Sequence, residues 1–260
     1  MVKYRVLPLI ILSLPWNVSR GLSPIVTHAP VMEEPISGPE TVVERRPVGT
    51  IRLRVLSDGT LRITAPPGID VEPFIQRRSG WIARKRQEMA KLAADAGELE
   101  HSLVLCGEPY RLVQGDRCSV DADLHEVVYT TPAALKRYLA GRWRRGLEAA
   151  VARLAPPMGV EVTGISVRMQ RTRWASCSAR GHLSFNLVMI ALPPHLREYV
   201  MVHELAHRRH LDHSRAFWRC VGKYYPDYPA ADRELGRYWV ILERNACWQV
   251  LRGAEKPPSR

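Results

Sequence analysis

The stretch VMVHELAHRRHLDHSRAFW, residues 200–218, constrains the fold of this chain more than any other. It contains four histidines within eleven positions, and a glutamate directly follows the first of them. His203 and His207 are four residues apart, so their imidazoles share one face if the stretch is an α-helix. Two imidazoles placed in this way can bind one zinc ion, and Glu204 is then suitably placed to accept a proton from a water molecule beside the ion. The spacing therefore predicts a helix that carries a metal site.

The third ligand is left open between two histidines. A catalytic zinc ion usually has three protein ligands and one open position. His210 returns to nearly the same helix face, but on an unbroken helix it lies about 10 Å along the axis from His203. His213 is within reach only if the helix ends and the chain folds back, and Ser214 is a residue type that begins a new helix. We predict His213 as the third ligand and keep His210 as the alternative, while Asp212 either caps the new helix or orients a ligand imidazole.

The remaining sequence predicts an α+β fold, with a β-rich N-terminal part and a helix-dominated C-terminal part that contains the HExxH helix. Two runs in which apolar and charged residues alternate flank Asp58-Gly59, which indicates a β-hairpin. A helix that begins at Pro132 is expected to end at Pro156-Pro157, because proline removes helical hydrogen bonds. The expected strands lie at 50–56, 60–66, 103–107, 110–114, 125–131, 159–169 and 182–192, and the expected helices at 71–96, 132–154, after Pro193-Pro194, up to Tyr224 and at 230–249.

Four segments are expected along the chain. Residues 1–41 form a flexible or signal-like leader, 42–135 a β-rich subdomain with one helix, 136–249 the core with the histidines, and 250–260 a tail. The apolar run at 6–16 resembles part of a signal peptide but is too short to span a bilayer, and no other segment is apolar enough to do so. We expect a cytoplasmic protein, with export as the alternative if residues 1–21 act as a signal.

Composition excludes disordered, fibrous and disulfide-rich chains. Hydrophobic residues make up 46% and charged residues 25% of the chain, as in ordinary globular proteins. The five cysteines form no CxxC pair, which favours reduced thiols over a secreted disulfide scaffold. The net charge of +12 favours acidic partners, and the stretches 77–86 and 135–145 interleave basic and aromatic residues as nucleic-acid surfaces often do. We prefer the interpretation that these are solvated basic faces whose tryptophans point into the core.

Three stretches are specific enough to indicate a family: TRWASCSARGHLSFN (172–186), LPPHLREYVMVHELAH (192–207) and HSRAFW (213–218). In order and spacing they resemble the YgjP-like metallopeptidase domain, which is related to the SprT-like and WLM zincins. Weaker similarity extends upstream to the hairpin, to Trp81-Ile82 and to GEPYRL (107–112), so the resemblance covers about residues 42–240. It implies a zincin-like C-terminal core and a hydrolase that cleaves peptide bonds in peptide or protein substrates.

The resemblance also implies one zinc ion per chain, bound by the HExxH histidines and by a downstream histidine that precedes serine. On this chain these ligands are His203, His207 and His213, and Glu204 is the catalytic glutamate. One departure is that Ala175 stands where the family's usual Trp-Gly-Ser-Cys has glycine. Because alanine lacks glycine's access to positive φ, we expect a slightly different turn at this position.

Other functions remain open on the sequence. SprT-like relatives act on proteins bound to DNA, so a protease for DNA-associated proteins is one alternative. A non-enzymatic nucleic-acid-binding module stabilised by zinc is another, and its site would be closed by a fourth ligand, such as His210 or a cysteine. Glu204 argues against that module, because a structural zinc site has no use for the carboxylate. Cys177 shows no neighbouring base that would make it a nucleophile, so we expect a buried core thiol.

Overall fold

The computed structural model of the protein describes residues 11–15, 40–95 and 97–253, which form two compact units. One unit lies within Ile10–Lys91 and the other within Leu92–Arg260. The predicted α+β fold is confirmed, with strands dominant in the earlier part of the chain and helices in the later part. The expected leader and tail lie largely outside the described residues. None of the described helices combines the length and the apolar composition that crossing a bilayer demands.

The first unit contains the predicted hairpin. Strands β3 (Thr50–Val55) and β4 (Leu61–Ala65) pair antiparallel, and Gly59 turns the chain between them with a φ of 87°. The apolar residues that alternate along both strands are buried on one face. The helix expected over 71–96 is divided at Arg78 into two helices. The elements are β1 (Ile11–Pro15), β2 (Thr41–Arg45), β3 (Thr50–Val55), β4 (Leu61–Ala65), α1 (Glu72–Arg77) and α2 (Ser79–Asp95), with strand order β1-β3-β4-β2.

The second unit begins with a small four-stranded sheet. Its strands are β5 (Leu103–Leu105), β6 (Glu108–Gln114), β7 (Ser119–Asp121) and β8 (Glu126–Tyr129), in the order β5-β6-β8-β7. The sequence groups this region with the N-terminal hairpin, but in the structure its β5–β6 turn is bonded to the C-terminal part. The Cys106 N–H donates to Ile190 O at 3.0 Å and the Gly107 N–H to Ala191 O at 2.7 Å.

The rest of the second unit supports the histidine cluster. A three-stranded sheet in the order β10-β11-β9 packs with helices α3 and α4. Helix α3 buries an apolar stripe that includes Trp143, so the prediction that this tryptophan points into the core is confirmed. The elements are α3 (Pro132–Met158), β9 (Gly164–Arg168), β10 (Ala175–Cys177), β11 (His182–Asn186), a 3₁₀ segment (Leu187–Ala191), α4 (Pro194–Ala206), α5 (Arg215–Tyr224), α6 (Tyr228–Arg244) and α7 (Ala246–Leu251).

Several predicted boundaries are wrong for local reasons. Helix α3 continues through both prolines to Met158, because they remove backbone hydrogen bonds only in its last turns. It ends at Gly159, which has a φ of 61° and donates its N–H to the last carbonyls. The strand expected over 182–192 stops at Asn186, whose side chain accepts from the Val188 N–H and starts the 3₁₀ segment. Asn245 likewise divides the last predicted helix by capping α7.

Candidate metal centre

The HExxH helix ends where the predicted metal site requires it to end. Helix α4 begins after Pro193, as predicted, and runs to Ala206, so His207 is its C-terminal cap residue. The N–H groups of residues 208–210 then bond back to Leu205 O and Ala206 O in a tight turn. Because the chain reverses here, His213 returns to the face of α4 that carries His203 and His207.

The three imidazoles of His203, His207 and His213 form one compact group. Each offers a ring nitrogen, and these nitrogens all lie within 4.8 Å of one another. His203 Nε2 and His213 Nε2 are 3.1 Å apart. In a tetrahedral zinc site with bonds of about 2.0–2.1 Å, two ligand nitrogens lie about 3.3 Å apart, so this donor set fits a zinc ion. Among the described residues this is the one group of three or more such side chains, and it does not include His210.

His210 contributes its backbone instead of its ring. His207 Nδ1 lies 3.1 Å from His210 O, so the ring donates to this carbonyl and its Nε2 is left for a metal. On His203 the Nε2 atom also faces the cluster, toward His213, but the buried Nδ1 has no hydrogen-bond partner among the described residues. The turn between α4 and α5 therefore orients one ligand through a carbonyl that the sequence pattern does not reveal.

Phe217 lies against all three imidazoles. Its ring centroid is 4.8 Å from that of His203, 4.5 Å from that of His207 and 4.8 Å from that of His213. The side chain is fully buried in the first turn of α5. Reasoning from the sequence assigns this residue no role, although it stands in the HSRAFW stretch. Its position four residues after His213 is the signal that identifies it, because a helix capped at Ser214 returns that residue to the cluster.

Burial keeps the imidazoles neutral. It lowers the pKa of His203 well below the ordinary value, with smaller effects from His207 and His213. It lowers the pKa of His207 to about 4, against the hydrogen bond to the His210 backbone, which raises it. Burial also lowers the pKa of His213, which is the most exposed of the three. Because the neutral imidazole is the form that binds a metal, the cluster needs to lose no proton on binding at neutral pH.

Comparison with known proteins decides the family. The family model of the YgjP-like metallopeptidase domain matches residues 49–238. The chain belongs to the YgjP-like metallopeptidase family. It is therefore a metallopeptidase, a hydrolase whose substrates are peptides or proteins, and the resemblance noted on residues 172–218 is confirmed.

The other comparisons add little to this. The crystal structure of the metallopeptidase zymogen of Pyrococcus abyssi abylysin is similar over 34% of this chain and 90% of that chain, with 22% sequence identity and a TM-score of 0.32. No curated protein matches the sequence.

The alanine that departs from the YgjP-like pattern is the first residue of strand β10. Ala175 is fully buried and is not among the described residues with positive φ. A strand position has no need of glycine's additional freedom, and the expected difference from relatives with glycine at this position stays a prediction.

The cysteine of that same stretch is a core thiol, as predicted. Cys177 is 1% exposed, and its Sγ donates to Ser178 O at 3.4 Å. Burial raises the pKa of Cys177 to about 11, and the negative charge of Glu204 adds to this effect. A thiol held in its neutral form is a poor nucleophile. The same observation places the Glu204 carboxylate near β10, where it is completely buried.

Arg208 binds two backbone carbonyls at the end of α4. Its Nε donates to Glu161 O and its Nη1 to Ala179 O, each at 3.1 Å. The guanidinium packs on Gly181, where a Cβ atom would lie 2.9 Å from Arg208 Cζ. Arg208 therefore links the end of α4 to the β10–β11 turn.

Asp212 serves the turn before α5. Its carboxylate accepts from the Ser214 N–H at 3.3 Å, and Ser214 in turn caps α5 by accepting from the Phe217 N–H at 3.4 Å. Asp212 is therefore not the helix cap, which is Ser214, and its carboxylate bonds within the turn that precedes the helix. Asp212 acts on the histidines only through its charge, which raises the pKa of His207 and of His213.

Proposed function

We propose that this metallopeptidase uses one zinc ion per chain, bound by His203, His207 and His213, and that Glu204 is the general base of peptide hydrolysis. The observation that carries the proposal is the convergence of three neutral imidazoles at separations that suit zinc. The group contains no fourth histidine, cysteine or carboxylate among the described residues, which favours an open site over a closed structural one. His213 is exposed, so the cluster reaches the protein surface at this imidazole.

In this proposal each residue has one task. Zinc, when bound, polarises the substrate carbonyl and lowers the pKa of water. Glu204 accepts a proton from the attacking water and later gives it to the leaving amine nitrogen, so the carboxylate returns to its starting form. His207 is held in one tautomer by His210 O, and Phe217 holds the three rings in place.

The ligand set is tested by metal analysis of purified variants. The wild type and His210→Ala proteins are expected to retain about one zinc per chain, while His203→Ala, His207→Ala and His213→Ala lose most of it. Elemental analysis after dialysis gives the readout. His210→Ala is the matched control, because it removes an imidazole but keeps the backbone carbonyl that His207 uses. Loss of zinc from His210→Ala with retention in His213→Ala would reverse the assignment of the third ligand.

The role of Glu204 is tested separately from metal binding. Glu204→Gln is expected to keep its zinc and to lose at least about a hundredfold in peptide hydrolysis, since general-base catalysis contributes that much or more. Hydrolysis is followed with a mixture of quenched fluorescent peptides. A Glu204→Gln protein that cleaves as fast as the wild type would refute the assignment.

A further inference from the structure

A basic cavity lies on the face of the β9–β10–β11 sheet opposite to helix α4, which carries His203 and His207. Its volume is about 500 Å³. Its floor is a row of three serines in register, since Ser176 is paired with Ser184, and Ser184 with Ser166. Three small side chains in one row leave the hollow that larger residues would fill.

All formal charges on the cavity wall are positive. Arg168, Arg171 and Arg173 line it together with His182, and no carboxylate does. Arg168 and Arg171 are exposed, and neither is paired with an acidic side chain among the described residues. Arginine beside serine hydroxyls is the donor set that binds carboxylate and phosphate groups.

The loop with two of these arginines is fixed in place by one buried side chain. Asn186 is 0% exposed, and its Nδ2 donates to Gln170 O at 2.9 Å and to Arg173 O at 2.8 Å. Its Oδ1 accepts from the Gln170 N–H at 3.2 Å. Both ends of the 170–173 loop are therefore held by the same amide, which places its cationic groups before any ligand binds.

Strand β10 connects this cavity to the candidate metal centre. Residues alternate across a strand, so Ser176 faces the cavity while the Ala175 and Cys177 side chains are buried on the core side. Cys177 also forms part of the cavity lining. The core side of β10 packs on α4, and Cys177 lies close enough to Glu204 for the carboxylate to raise the thiol's pKa. In the described residues β10 is also an edge strand of its sheet, and Ser176 at its centre is partly exposed.

We propose that this cavity binds an acidic side chain of the polypeptide substrate, a carboxylate or a phosphate, and so gives the peptidase a preference for acidic sequences near the cleaved bond. The inference rests on the proposed function, because it takes the ligand to be a substrate polypeptide. A peptide that extends along β10 directs alternate side chains toward the serine row, where Arg168 and Arg171 meet their negative charge.

The test measures binding and does not depend on hydrolysis. Zinc-loaded Glu204→Gln protein is titrated into labelled peptides, and fluorescence anisotropy measures binding. The peptides share one sequence and form pairs that differ at one position, with glutamate against glutamine or phosphoserine against serine. This position is moved along the peptide from one pair to the next. The acidic member of the best pair is expected to bind about tenfold more tightly, as charge-assisted hydrogen bonds warrant. When Arg168→Gln and Arg171→Gln are added to the Glu204→Gln protein, the ratio of the affinity for the acidic peptide to that for its neutral partner should fall close to one.

Two controls separate the cavity from general charge and from general stability. Arg180→Gln removes the same charge as either single cavity variant, Arg168→Gln or Arg171→Gln, but from the exposed β10–β11 turn outside the cavity lining, and it should leave the ratio unchanged. Asn186→Ala should reduce the ratio, whereas Asn245→Ala, which removes an equally buried asparagine from the cap of α7, should lower only stability.

Each remaining outcome is decisive. Equal affinities for acidic and neutral peptides, or an effect of Arg180→Gln as large as that of the cavity pair, would overturn the proposal. A single-stranded oligonucleotide whose binding depends on Arg168 and Arg171 while the peptide ratio stays near one would assign the cavity to nucleic acid instead. Absence of hydrolysis by the wild-type protein would refute the proposed function, whereas the affinity ratio would still decide what the cavity binds.

Discussion

At the scale of single residues, Phe217 is the side chain on which the three imidazoles converge. We expect Phe217→Leu to weaken zinc binding about tenfold, because leucine fills much of the volume but no longer presents a flat ring to the ligands. The measurement is competition for zinc with a chromophoric chelator.

The control for this prediction is Phe185→Leu. Phe185 is equally buried but lies in β11 and has no ring contact with the cluster among the described residues. Both variants should lose about 1 kcal/mol of unfolding free energy, and only Phe217→Leu should lose zinc affinity. An equal loss of affinity in both would mean that Phe217 acts only through general stability.

The buried histidines make the metal-free protein sensitive to acid. Their pKa values are lowered in the folded state, to about 4 for His207, against an ordinary value near 6.5. Above pH 6.5 these imidazoles are neutral in both the folded and the unfolded chain. Below it only the unfolded chain gains protons, so stability is lost as the pH falls toward 4, by an amount on the order of 3 kcal/mol for His207 alone.

Urea unfolding of chelator-treated protein at pH 8, 6.5 and 5 measures this loss. His207→Leu should flatten the pH dependence, while His101→Gln, which changes an exposed histidine, should leave it steep. A dependence that His207→Leu leaves unaltered would show that other groups cause the acid sensitivity.

At the scale of elements, the start of α5 determines where the third histidine lies. Ser214 caps this helix directly after His213. Ser214→Ala should lower the free energy of unfolding by about 1 kcal/mol, and it should also weaken zinc binding because both His213 and Phe217 depend on how α5 begins.

Thr131→Ala is the matched variant, since Thr131 caps α3 by accepting from the Ala134 N–H at 3.1 Å. It should cost a similar free energy without any change in zinc affinity. Both quantities are read from urea unfolding and chelator competition, and equal zinc affinities in the two variants would contradict the prediction.

Elements marked by short sequence patterns were predictable from the sequence. The ends of elements that depend on one side chain binding distant backbone groups were not. The spacing of His203 and His207 and the prolines before them were enough to predict helix α4. Asn186 and Asn245 both end elements that the apolar pattern would continue, because each amide binds backbone groups that become neighbours only in the folded chain. Asn245 Nδ2, for example, donates to Ser102 O, which is far away in sequence.

At the scale of the whole molecule, the metal should stabilise the folded chain by mass action. Zinc at about one hundred times its dissociation constant should add about 2.7 kcal/mol to the free energy of unfolding. Differential scanning fluorimetry with zinc and with chelator should show a higher melting temperature for the zinc-loaded wild type and no difference for His203→Ala. A shift of equal size in His203→Ala would place the stabilising ion elsewhere.

The candidate site was predictable from the sequence only where its residues lie close together along the chain. The proposed ligands His203 and His207 and the proposed base Glu204 follow from helical geometry alone. The proposal of His213 depends on a chain reversal, which Ser214 and Asp212 indicate only weakly in the sequence. Arg208 and the serine row depend on contacts between distant segments, which no local pattern encodes. Binding of nucleic acid by the basic chain stays an open alternative, and its cytoplasmic location stays a prediction.

The packing of Arg208 on Gly181 has an evolutionary consequence. Gly181 has a φ of 85°, and its missing side chain leaves the room that the guanidinium occupies. A shorter residue at 208 would relieve the crowding at 181, but it would leave the carbonyls of Glu161 and Ala179 without their donor. We therefore expect lineages of this protein to keep both positions or to exchange both, so that a glycine outside the histidine cluster is inherited together with helix α4.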